Sequence, residues 1–287
     1  EDQTRILKAK WVLKWTKWED GSPRAKARLV LQGFNDPDAL DGKVKTSSPT
    51  VSRLGRLLCL QMAATKGWRT WQADVKTAFL QGRPQDRVLH AKLPKGAAEL
   101  LGCDPRTLMR LIKPMYGQVD APRKWYLRAA QYLESIGLQQ HPLDPCILLS
   151  YNEKGECDGF INIYVGDFFG AGDTDSEAWK DRAKKVKQML NFRKWIDHDH
   201  MEHCGVDLYP SDGHRIDLNT ANYLKKLKPV TVNQNPQTDE GRTLELGLAD
   251  AQSTWIDEPA LGARGLAVSE SEGGIGSRRV RRYIRGR

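Results

Sequence analysis

The residues from Arg69 to Gly82 constrain this chain more than any others. Side chains alternate from Arg69 through Val75 as they would along a strand, and from Lys76 the spacing shifts toward that of a helix. The change of period leaves one carboxylate, Asp74, where the strand ends. A carboxylate placed there can hold a metal ion if another converges on it from a second strand. It can equally cap the following helix, and the stretch alone leaves both roles open.

The candidate partner is Asp167, in Tyr164-Val165-Gly166-Asp167. The run from Gly159 to Val165 reads as a strand that returns through Phe168 and Phe169 after a tight turn. Gly-Asp after an apolar strand is also ordinary hairpin-turn chemistry. A second cluster, Asp197-His198-Asp199-His200-Met201-Glu202-His203-Cys204, offers zinc donors. They are crowded into one segment with no distant complementing pair, unlike the spaced pairs of structural zinc sites.

Composition narrows the class. The 287 residues can bury one large or two ordinary cores, and 39% hydrophobic residues with nine Trp argue against global disorder. A formal charge of +9 suits a phosphate-bearing partner. The five cysteines are scattered without a Cys-x-x-Cys pair, so they read as intracellular thiols. No run of about 18 apolar residues could span a bilayer, and the first residues lack the apolar core of a signal peptide. The expectation is an intracellular protein, cytoplasmic or nuclear, without membrane contact. The absence of an initial Met fits a piece of a longer polyprotein.

Along the chain, Lys10 to Trp15 alternates as a strand. Ala27 to Phe34 reads as its hairpin partner across the turn Asp20-Gly21-Ser22-Pro23. Ser52 can cap a helix with Leu54, Leu57, Leu58 and Met62 on its apolar face and Gly67 at its stop. Arg87 to Pro94 reads as a strand, and Ile147 to Leu149 as another after Asp144-Pro145-Cys146. Pro122 starts a helix with Tyr126, Ala129, Ala130, Leu133 and Ile136 on one face, ended by Gly137. Asp175 or Ser176 caps a helix with Trp179, Ala183, Val186 and Leu190 inward and lysines outward. Cys204 to Leu208 and His214 to Leu218 pair as a hairpin. From about Val230 periodicity is lost, and the last ten residues hold six Arg.

Asp74-Val75-Lys76-Thr77-Ala78-Phe79-Leu80, followed by a polar residue and Gly82, closely resembles the first catalytic motif of copia-type retrotransposon reverse transcriptases. Leu111 to Tyr126, containing Met115-Tyr116-Gly117 and Ala121-Pro122-Arg123-Lys124-Trp125-Tyr126, resembles that family's Tyr-Gly-Leu-Lys-Gln-Ala-Pro-Arg segment, with the acid Asp120 where the family has a polar Gln. Lys26 to Val30 with Gly33 and Phe34 resembles its fingers, and Cys204 to Leu218 the region that holds the primer end. The resemblance covers about residues 5 to 230, with no integrase, protease or RNase H segment.

The resemblance implies an α+β right-hand polymerase core of fingers and palm, and RNA-directed DNA synthesis from a template–primer and deoxynucleoside triphosphates. Nucleotidyl transfer calls for two magnesium ions held by carboxylates from separate strands. By the resemblance the ligands are Asp74, the Val75 carbonyl and Asp167, while Gly166 stands where the family's Tyr-Val-Asp-Asp has its first Asp. Asp158 or Asp173 could substitute only if the hairpin bent. Arg28, with Lys26 beside it, would reach the triphosphate; Tyr116 and Gly117 would lie beneath the nucleotide and template base; Phe79 would exclude a ribose 2′-hydroxyl. The implied divisions are fingers and the start of the palm over 1–70, the first-motif strand over 71–82, a return to the fingers over 83–122, palm over 123–210, a primer-contact hairpin and the start of the thumb over 211–230, and an unstructured basic tail over 231–287. The missing Asp makes a weak or inactive copy the expectation, and a non-catalytic nucleic-acid-binding remnant the alternative.

Overall fold

A computed structural model describes residues 5–227, apart from 19 and 212–213, together with the strand Arg282–Arg285. Three sheets organise these residues. The first begins with the hairpin of β1 (Ile6–Lys17) and β2 (Pro23–Leu31), in register from Ala9 opposite Leu31 to Lys17 opposite Pro23. Residues opposite each other share a face. One face therefore carries Lys10, Lys14, Arg24, Lys26 and Arg28, and the other Trp11, Leu13, Trp15, Ala25 and Ala27.

The partner strand stops at Leu31 rather than Phe34, and Gly33–Asn35 is a 3-10 turn. The reason is close packing, because a Cβ on Gly33 would lie 2.2 Å from the carbonyl oxygen of Gly117. Asp36 then caps the short helix α1 (Pro37–Leu40). Asp36, wholly buried, and Asp38 both bind the Arg87 guanidinium. That buried pairing holds Arg87 out of the strand expected over residues 87–94, of which only β4 (His90–Lys92) forms, pairing in parallel with β1. The short helix α3 (Lys95–Leu100) and β5 (Leu108–Arg110), antiparallel to β4, complete this part.

Helix α2 (Arg53–Lys66) has the expected ends. Ser52 Oγ accepts from the Gly55 amide at 2.9 Å, and Gly67 closes the helix at φ 66°. Its buried face is not the expected one, however. Gly55, Cys59, Leu60, Ala63 and Ala64 point inward, while Leu54 and Leu58 are 68% and 60% exposed. Gly55 decides this, since its missing side chain lets the helix approach Asp144 and Ile147 closely.

The second sheet has the order β10-β3-β9-β8-β7-β6. Next to the edge strand β10 (Phe192–Asp197) lies β3 (Arg69–Val75), followed by β9 (Asp167–Gly172), with β3 antiparallel to both. Outward from β9 follow β8 (Cys157–Tyr164), β7 (Ile147–Tyr151) and the two-residue β6 (Gln139–Gln140). Helices α4 (Ala121–Ser135) and α5 (Glu177–Met189) pack on it, capped as expected by Pro122 near the start of α4 and by the Ser176 hydroxyl on the Trp179 amide. The main core is here, with Trp125, Leu133, Phe160, Ile161, Phe168 and Phe169 at most 1% exposed. Each such burial contributes about 1.5–3 kcal/mol. Gly159 and Gly172, paired across β8 and β9, leave room for the Trp179 indole.

The third sheet joins β11 (Met201–His203), β12 (Val206–Ser211), β13 (Arg215–Asn219) and β14 (Arg282–Arg285). The expected hairpin is present, with Asp207 opposite Asn219, and the short α6 (Ala221–Leu224) follows it. Arg282–Arg285, within the tail expected to lack regular structure, pair with Leu218–Arg215. The rest of that expected tail lies outside the described residues. Among the described residues no helix is long and apolar enough to cross a membrane.

Candidate active site

Asp74, next to last in β3, is the register partner of Asp167, first in β9. Two ladders that run in opposite directions thus bring the two predicted carboxylates together at one end of the sheet. Between β8 and β9 only Val165 and Gly166 intervene, with Tyr164 opposite Asp167. Two bonds hold this turn in place. The Val75 amide donates to the Gly166 carbonyl at 2.8 Å, and the Trp125 indole N–H of α4 donates to the Val165 carbonyl.

The left-handed backbone of the turn falls on Val165, at φ 54°, and not on Gly166. A β-branched residue in that region is uncommon and strained. Glycine at 166 is therefore no conformational requirement. A Cβ built on it would stand 3.4 Å from Ala78 Cβ and 3.9 Å from both Asp74 Oδ1 and the Val75 carbonyl oxygen. A side chain at 166 would extend toward the point that Asp74 and Val75 already face.

Burial first, and then the charge of Asp74, pushes Asp167 up to about 6, against the opposing influence of Arg193. Asp74 carries the Arg193 guanidinium, whose Nε and Nη2 both donate to Asp74 Oδ2. Hard oxygen donors suit magnesium, and Asp74, Asp167 and the Val75 carbonyl are such a set. Among the described residues no group of three or more acidic, His or Cys side chains could hold a metal.

Neither substitute ligand lies near the turn: Asp158 is second in β8 and Asp173 directly follows β9, both at the strand ends away from Val165 and Gly166. Asp158 is buried and accepts from the hydroxyls of Ser150 and Ser176, and Asp173 accepts from the Asp175 amide. Asp120 is also structural, being 3% exposed, accepting from Gln118 Nε2 at 2.6 Å and lying 3.7 Å from Lys124 Nζ.

The other predicted residues gather above the carboxylates. The Arg28 guanidinium lies 5.7 Å from the centre of the Tyr116 ring, which is 5.4 Å from that of Phe79. Lys26 is held below the ordinary lysine value by partial burial and by Arg28, Arg193 and Arg24, with Asp74 opposing. Lys26, on the basic face of the β1–β2 hairpin, is thus within electrostatic reach of Asp74. Gly117, at φ 82°, makes its close approach to this hairpin: a Cβ there would lie 2.1 Å from the Leu31 carbonyl oxygen. The bond from the Leu31 amide to the Tyr116 carbonyl, 2.7 Å, locks the same contact.

The zinc-donor segment disperses. His198 sits at the Thr70 amide, His200 pairs with Asp207 and stacks on Tyr209, and His203 is buried against Phe169. Sequence reasoning missed Arg193. The alternation of Phe192, Lys194 and Ile196 was available as a strand signal, but β10 carries a bulge between Phe192 and Lys194 that breaks the period.

Residues 1–238 match the family described as "Reverse transcriptase (RNA-dependent DNA polymerase)". The chain belongs to that reverse transcriptase family. It is 31% identical over 193 residues to the retrovirus-related Pol polyprotein from transposon RE2 of Arabidopsis thaliana, covering 67% of this chain and 13% of the polyprotein. Against the Pol polyprotein from transposon RE1 of the same plant it is 31% identical over 169 residues, 58% of the chain and 11% of the polyprotein. Against that from transposon TNT 1-94 of Nicotiana tabacum it is 33% identical over 171 residues, 58% and 12%. The resemblance to copia-type reverse transcriptases is borne out, and this reverse transcriptase chain spans only a small part of the polyproteins it matches.

Proposed function

We propose that the chain is the fingers and palm of a copia-type RNA-directed DNA polymerase, and that this copy is a weak one. The observation that carries the reading is Asp74 opposite Asp167, with the Val75 carbonyl beside them, within electrostatic reach of Lys26 on the basic face of a hairpin. In this reading the β1–β2 hairpin is the fingers, the six-stranded sheet is the palm, and β12–β13 meets the primer.

Asp74, Asp167 and the Val75 carbonyl would hold magnesium, which when bound lowers the pKa of the primer 3′-hydroxyl and neutralises charge at the α-phosphate. The chain's own groups do the positioning. Arg28 and Lys26 clamp the triphosphate, a task suited to a charged, bidentate guanidinium. The Tyr116 ring, fixed through its carbonyl to β2, forms the floor of the nucleotide site. Phe79, wedged against Tyr116, occupies the space a ribose 2′-hydroxyl would need. Gly166 removes one carboxylate from this set without disturbing the turn.

The absent third carboxylate and the guanidinium on Asp74 favour a second reading, a remnant that binds template–primer without extending it. Primer extension with saturating magnesium separates the two. Extension abolished by Asp74→Ala supports the polymerase; binding without extension in both the chain and its Gly166→Asp variant supports the remnant.

A further inference from the structure

We infer that Arg193 is the internal counter-ion of this site: with no divalent cation bound, its guanidinium occupies Asp74, and a metal ion binds by displacing it. The inference rests on the assignment of Asp74 as a metal ligand.

The backbone is built to aim this side chain. In the β10–β3 ladder Phe192 pairs with Val75 and Lys194 with Asp74, so Arg193 is the extra residue of a β-bulge at the level of the carboxylate. Bulges re-aim side chains in this way and recur beside active sites. Two guanidinium nitrogens converge on one oxygen, Asp74 Oδ2. Oδ1 remains on the side of the site that a Cβ at 166 and the Val75 carbonyl share. Two carboxylates set opposite each other repel, and one cation relieves that repulsion. Magnesium and Arg193 therefore compete for the same charge.

Release is easy for this residue. The Arg193 side chain is 61% exposed, so solvation replaces the ion pair at little loss. With three carboxylates a cation would win this competition readily. With Gly166 the site has only two, so even a loosely held guanidinium takes a share of it.

Binding of Mn2+ alone, without nucleotide or nucleic acid, tests this through the loss of the free-ion electron paramagnetic resonance signal. If the site is open about 10–30% of the time in the parent, Arg193→Ala tightens Mn2+ binding about 3- to 10-fold. Asp74→Ala abolishes that binding in either background. Arg193→Lys keeps the charge but loses the two-pronged grip, so it is expected to gain most of the same tightening. Unchanged or weaker binding in Arg193→Ala, with Asp74→Ala still abolishing it, overturns the counter-ion role. Mn2+ binding that Asp74→Ala leaves intact in both backgrounds sinks the metal assignment itself. Should Arg193→Ala fail to fold, Arg193→Gln takes its place, judged by the same affinities.

Discussion

Asp74 and Asp167 stand opposite each other on adjacent antiparallel strands, although the chain between them runs through helix α4 and three other strands of the same sheet, β6, β7 and β8. The position beside them, 166, has room for a Cβ and no left-handed backbone to oppose one. Gly166→Asp is therefore expected to fold as the parent does and to raise primer extension. Metal stabilisation supplies several kcal/mol, and recovering roughly 3–5 of these corresponds to about 10²–10⁴ in rate. Single-turnover extension by parent, Gly166→Asp and Gly166→Asp/Asp74→Ala checks this. A revertant no faster than the parent would place the defect elsewhere in the chain.

Lys26 and Arg28 lie on the basic face of the hairpin, away from the exposed Trp11, Leu13 and Trp15, and Lys26 is within electrostatic reach of Asp74. Alanine at either position is expected to raise the KM for nucleotide while leaving duplex affinity within a few-fold. Measuring nucleotide dependence in the Gly166→Asp background, alongside duplex binding, decides it. Equal loss of both would remove the triphosphate role.

Duplex binding itself is expected to be steeply salt-dependent, given a net charge of +9 and the basic hairpin face. If 6–10 phosphates are contacted, affinity falls by about 10³–10⁵ between 50 and 200 mM salt. Fluorescence anisotropy with a labelled template–primer measures the slope. A flat salt response would argue against a phosphate-lined cleft.

Gly172 faces the Trp179 indole, where a Cβ would lie 2.1 Å from a ring carbon, and both partners are packed in the core. Gly172→Ala is expected to destabilise by about 1–3 kcal/mol through overpacking. Gly96→Ala, in α3 and with only the Trp11 indole nitrogen at 3.9 Å, is the control and should be neutral or slightly stabilising. Thermal melts of the two variants should move apart.

His203 is 1% exposed, and both its ring nitrogens lack a hydrogen-bond partner. Burial, and then Arg56, hold it down to about 3. The unfolded chain takes up this proton below about 6.5 and the folded chain does not, so the contribution is intact above 6.5 and is lost as pH falls toward 3. The slope approaches about 1.36 kcal/mol per pH unit for one proton. His203→Phe, which can still stack on Phe169, should flatten the dependence of urea midpoints between pH 7 and 4. An unaltered slope would mean that other groups carry the acid sensitivity.

Much of the fold was legible because its signals are local. Ser52, Gly67 and Ser176 end their helices as their side chains and backbone freedom dictate. The alternation in β1 and β3 follows from a pleat with a period of two, and the carboxylates at 74 and 167 could be named from their motifs. The β10 strand was not legible, since one extra residue destroys the alternation by which a strand is recognised.

Sequence alone determined where most of the helices and the β3, β8 and β9 strands lie, and which residues cap α2 and α5. Each of these depends on neighbours within a few positions. Only the tertiary structure decided that α2 buries Gly55 and Cys59 rather than Leu54 and Leu58, and that Gly117 wedges against β2 instead of lying open. It also decided that Asp120 and Asp158 are structural, and that Arg193 reaches Asp74 across 119 positions of chain. Close packing and charge pairing between residues far apart in sequence set these outcomes, and no local period encodes them.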